Sequence, residues 1–114
     1  MILSVTDKTF GKEILQAPSP VLVHFWAPWC GLCRLINPVL ANFEKDWQGQ
    51  IKVVGINADE NFKLANFYRL TTLPTLILFE NGIIIQRIEG FQNREELSRL
   101  LNASMLNKKI VQSA

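Results

Sequence analysis

The chain is predicted to form one α/β domain, built on a single mixed sheet with helices on both faces. Three observations lead there. Strand-like and helix-like segments alternate along the chain. "VLVHFWA" and "IKVVGIN" are continuous apolar runs, the pattern of strands covered on both faces. Asn81-Gly82 joins two further strand-like runs, and Asn-Gly is the strongest short hairpin signal.

In chain order, "ILSV" reads as a short strand. Thr6 can cap a helix running to about Gln16, with Phe10, Ile14 and Leu15 on its apolar side. "APSP" breaks the chain before the strand "VLVHFWA". A helix from about Cys30 to Trp47 places Leu35, Ile36, Val39, Leu40 and Phe43 at helical spacing. "IKVVGIN" follows as a strand, then "DENFKLANFYRL" as a helix with Asp59 near its start. After "TTLP" come the hairpin strands "TLILFE" and "IIIQRIE". The helix "QNREELSRLLNASML" closes the fold, with Leu97, Leu100 and Leu101 facing in. The order is β-α-β-α-β-α-β-β-α. Strand–helix–strand units imply parallel pairing, and the hairpin adds an antiparallel edge.

Composition narrows the function. The 114 residues suit one domain, assigned to 1–107, with 108–114 as a C-terminal tail carrying a basic pair that reads as a solvated end. Apolar residues make up 48%, enough for a real core. A net charge of +2 gives no strong field for nucleic acid or a membrane surface. No apolar run approaches the roughly 20 residues of a membrane span. The N-terminus lacks the pattern of a secretory signal, which favours a cytoplasmic location. Two cysteines do not make a disulfide scaffold.

Both cysteines and the single histidine fall within "HFWAPWCGLCRLINP", starting at His24. Cys30 and Cys33 lie three apart where a strand gives way to a helix. Residues at that spacing are neighbours on one helix face, about 5–6 Å apart between Cβ atoms. A disulfide can close there and open again. Cys30 meets unpaired N–H groups at the first turn, which favours an exposed thiolate. Cys33 is one turn deeper, under Leu32, where desolvation keeps it protonated. Such a pair suits thiol–disulfide exchange: Cys30 attacks, and Cys33 resolves the mixed disulfide. Two other readings compete. A zinc site needs four ligands, and the chain offers only the cysteines and His24. Two inert core cysteines are the default for isolated cysteines, less so for C-x-x-C after a buried strand.

These residues, with others in the same order, resemble the thioredoxin family over essentially the whole chain. "FWAPWCGLC" corresponds to the family's "FWA-x-WCGPC", "LPT" at Leu73–Thr75 to its cis-proline loop, and Pro38 to the proline that kinks the active-site helix. Asn81-Gly82 and Gly90 also correspond. The resemblance implies a thioredoxin-like three-layer α/β/α sandwich and a protein-disulfide reductase. It implies Cys30 as nucleophile and Cys33 as resolving thiol, with Gly31, Leu32 and Trp26 tuning the redox turn. Trp29, Leu73, Pro74, Gly90 and Phe91 would bind an extended target segment. No cofactor or metal would be bound. The partners would be disulfide-containing proteins and a thioredoxin reductase, NADPH- or ferredoxin-linked, with the chain a monomer. The alternatives are a disulfide oxidant or isomerase, or a non-catalytic binding subunit.

Three positions depart from the family pattern. Leu32 replaces the proline of "CGPC", His24 replaces the buried aspartate of this strand, and Gly55 replaces the lysine that faces it. Loss of both charges leaves no orphan ion. Alternation puts His24 on the strand face of Leu22 and Trp26, beneath Cys33 by the resemblance. Its imidazole is a candidate proton acceptor, because it titrates nearest neutrality.

Overall fold

The structure is a computed structural model that describes residues 2–113. The side chains of 108–113, and with them the solvated basic pair expected in the tail, lie outside the described residues. Five strands form one sheet in the order β1-β3-β2-β4-β5: β1 (Leu3–Ser4), β2 (Val21–Trp26), β3 (Lys52–Asn57), β4 (Thr75–Glu80) and β5 (Ile83–Ile88). Strand β3 runs parallel to β1 and β2, while β4 is antiparallel to both β2 and β5.

The antiparallel half therefore begins one strand earlier than the alternation implied. The link from β3 to β4 contains only a short helix, α3 (Phe62–Phe67). Six helical residues advance about 9 Å, against about 20 Å for a six-residue strand. Such a helix cannot carry the chain back to the start of β3, so β4 enters at the end where β3 leaves. Arg69, with φ 52°, helps turn the chain. Arg87 of β5 braces that turn by donating to the carbonyls of Tyr68 and Arg69.

Each sheet face has its own core. On one, Leu22, Val53, Leu76 and Leu78 meet Leu40 and Phe43 of α2 (Asn37–Asp46) and Leu97, Leu101 and Met105 of α4 (Arg94–Ser113). On the other, Val21, Val23, Phe25, Val54 and Ile77 meet Phe10 and Ile14, with Leu64 and Tyr68 packed against them. The rings of Phe10, Phe25 and Phe79 all surround Tyr68. Strict alternation along β2 separates the two faces.

Several boundaries move for identifiable reasons. Thr6 caps a turn rather than a helix: Lys8 N–H donates to its hydroxyl, and the regular helix is a π-type turn at Gly11–Leu15. In that wider turn Leu15 faces outward, 42% exposed. The expected helix from Cys30 to Trp47 is two helices, α1 (Gly31–Leu35) and α2, meeting at Ile36. Pro38 has no N–H to continue the ladder, and the break leaves Leu35 exposed while Ile36 is buried. Helix α4 continues past the expected domain boundary to Ser113. The hairpin turns at Asn81 and Gly82, both at positive φ (53° and 76°), as a two-residue turn of this type requires.

Candidate active site

The topology brings four loops to one end of the sheet. Strands β2, β3 and β5 finish there, and β4 starts there, with Thr75 opposite Phe25. The loop after β2 carries the cysteines, the segment before β4 carries Pro74, and the turn after β5 carries Gly90.

Cys30 caps α1 in extended conformation and is disulfide-bonded to Cys33, with Cα atoms 5.3 Å apart. The backbone N–H of Cys33 donates to Cys30 Sγ at 3.1 Å, so one donor of the first turn already points at the front sulfur. That donor favours negative charge on Cys30 once the bond opens. The exposed thiolate expected at Cys30 is not exposed in this closed state. Cys30 is 5% accessible and Cys33 2%.

The Leu73–Pro74 peptide is cis. Pro74 is buried and Leu73 half-buried. Thr75 fixes this segment by donating its hydroxyl to the Thr72 carbonyl at 2.7 Å. Gly90 is exposed with φ 76°. Phe91 departs from the sequence-based expectation. It is 5% exposed and packs in the core with Ile88 and Leu97, so its ring does not face a target.

Trp29 is 68% exposed, and its indole N–H donates to Asp59 Oδ2 at 3.0 Å. Asp59 is in turn held by Asn57, whose Oδ1 accepts its backbone N–H at 2.9 Å. Sequence reasoning missed both as site residues, placing Asp59 only near a helix start. Arg34 donates to the Pro28 carbonyl at 3.2 Å and so ties α1 to the preceding loop.

Behind the disulfide, His24 sits opposite Gly55 in the β2–β3 register. Gly55 makes room for Trp26: a Cβ there would stand 3.3 Å from the indole nitrogen. His24 is 2% exposed, and its Nε2 is buried without a hydrogen-bond partner among the described residues. Burial alone lowers its pKa to about 4, so the imidazole is neutral at pH 7. His24 and Cys33 line the same cavity. Among the described residues, no three His, Cys, Asp or Glu side chains come together as a metal site would need. Nor is any helix among them long and apolar enough to cross a membrane.

A two-cysteine disulfide at the start of a helix, its front sulfur met by a helix N–H, defines a dithiol–disulfide oxidoreductase. The Thioredoxin family model matches residues 1–103. Thioredoxin 1 of Nostoc sp. is 43% identical over 97 residues, covering 85% of this chain and 91% of that protein. Thioredoxin of Pseudomonas aeruginosa is 39% identical over 104 residues, 91% and 96% of the two chains. Thioredoxin of Rickettsia felis is 38% identical over 105 residues, 92% and 100%. The chain belongs to the thioredoxin family, and its activity is protein-disulfide reduction through Cys30 and Cys33.

Proposed function

We propose that the chain is a cytoplasmic, monomeric electron carrier whose two thiols have separate tasks. The thiolate of Cys30 attacks a target disulfide, forming a mixed disulfide and expelling one target thiolate. The Cys33 sulfur then attacks Cys30, releasing the second target thiolate and closing the Cys30–Cys33 bond. Two electrons pass to the target, and a thioredoxin reductase, NADPH- or ferredoxin-linked, returns them. The observation that supports this reading is the asymmetry of the pair: the Cys33 N–H points at Cys30 Sγ, whereas Cys33 lines the cavity behind the disulfide.

Trp29, Leu73, Pro74 and Gly90 form the docking surface in this reading, with Leu73 offering its backbone to an extended target segment. Gly31, Leu32 and Trp26 set the conformational freedom of the redox turn. Cys33 must lose its proton before it attacks. His24 is the group that receives it. A neutral imidazole is a weak base when burial is its only influence, but a thiolate forming beside it supplies the anionic partner it lacks. His24 therefore holds the proton only while Cys33 is charged. The domain covers 1–107 in this reading, and 108–114 form a tail that prolongs α4 as far as Ser113.

The test is trapping. Cys30→Ser should be inactive in a disulfide-reduction assay. Cys33→Ser should still attack and accumulate mixed disulfides. Equal trapping by both variants would reverse or remove the assignment of Cys30 as nucleophile.

A further inference from the structure

A cavity of about 390 Å3 lies behind the disulfide, on the α2 face of the sheet. It exists because Gly55, opposite His24, projects no side chain into the space beside Trp26. Its volume falls in the range of small-molecule sites, about 300–1,000 Å3.

The lining has a definite chemistry. Trp26, Ile2 and Ala41 supply its apolar surface. Among the described residues the polar lining consists of Arg34, Asn37, Ser4 and His24, with no aspartate or glutamate. Each of these groups can donate a hydrogen bond, and Arg34 brings a positive charge. One guanidinium nitrogen of Arg34 is spent on the Pro28 carbonyl, which leaves the rest of the fork available. His24 lines this wall too, but its Nε2 is itself buried, so the donors open to an occupant are those of Arg34, Asn37 and Ser4. A carboxylate is purely an acceptor and answers this set of donors, while an aromatic ring answers the apolar walls.

We propose that this cavity is a binding site for a small aromatic carboxylate, with the carboxylate at Arg34 and Asn37 and the ring against Trp26. The site goes beyond the exchange reaction and lies at the rear of Cys33, away from the segment where targets dock. An occupant there covers the resolving sulfur and slows release of the reduced target.

The probe is 4-fluorobenzoate, titrated into the oxidised protein and followed by 19F NMR, with the Trp26 indole N–H monitored by protein NMR. The neutral 4-fluorobenzyl alcohol is the control. Saturable binding that shifts the Trp26 indole is expected. Arg34→Gln should weaken the benzoate by about two- to five-fold, the scale of an exposed ion pair, and leave the alcohol unchanged. Ala41→Phe should abolish saturable binding of both probes. Positions 34 and 41 are exposed on helices, so both variants should fold. The proposal is overturned by a titration that does not saturate, by binding that leaves the Trp26 indole unmoved, or by insensitivity to either substitution.

Discussion

Trp29 donates its indole N–H to Asp59 Oδ2, which latches the loop before Cys30 to the loop after β3. An exposed aromatic ring would otherwise sample several rotamers and would have to be ordered each time a target docked. Ordering one such side chain costs about 0.5–1.5 kcal/mol. We expect Asp59→Ala to raise KM for a protein target by about two- to ten-fold, the same energy read as affinity, with the Cys30–Cys33 disulfide unchanged. Steady-state kinetics with a protein substrate checks this. An unaltered KM would mean that the latch does not organise the docking surface.

Leu32 occupies the second position of α1, where a backbone N–H has no partner within the helix and proline is tolerated. Proline at 32 would restrict the open dithiol turn more than the closed one, and so favour the disulfide. Removing chain freedom of this kind is worth about 0.4–1 kcal/mol, or about 10–20 mV for a two-electron couple. Leu32→Pro should therefore make the potential more negative by that amount, measured against a glutathione buffer. A positive shift would show that the dipeptide between the cysteines does not act through turn entropy.

The pH dependence of stability follows from the burial of His24. Its folded pKa, about 4, lies below the unfolded value near 6.5, so the unfolded chain binds the proton more readily. The stability is fully present above pH 6.5 and is lost as pH falls through the folded value. This residue alone should remove about 3 kcal/mol between pH 7 and pH 4. Denaturant unfolding of the wild type and His24→Phe across that window isolates the effect. Parallel curves for the two proteins would mean that the imidazole is not held neutral.

A kinetic test separates proton transfer at His24 from packing. His24→Ala should leave the attack by Cys30 nearly unchanged and slow resolution by Cys33. General base catalysis is typically worth about 10²–10⁴-fold, and solvent in the adjoining cavity should keep the loss near the lower end. Added imidazole should restore part of the rate by entering the space vacated. Stopped-flow resolution of the two steps is the measurement. A slowed second step that imidazole does not rescue would assign His24 to packing alone.

Much of this molecule is written locally. The buried runs around Val23 and Val54 and the turn at Asn81-Gly82 follow from periodicity and from backbone preferences within a few residues. The spacing of Cys30 and Cys33 is likewise local, and it suffices for a closable disulfide. His24 facing the side of Leu22 follows from alternation along one strand. What could not be read locally depends on contacts between distant segments. The direction of β4 turns on how far a short helix reaches across the sheet. Phe91 is core because α4 folds over it. Trp29 finds Asp59 only when two loops arrive at the same end of the sheet. The space behind Cys33 opens because Gly55 lies opposite His24 in a parallel register that neither strand specifies by itself. Sequence periodicity says which way a side chain points along its own element; what it meets there is decided by packing, which sums contributions from the whole chain.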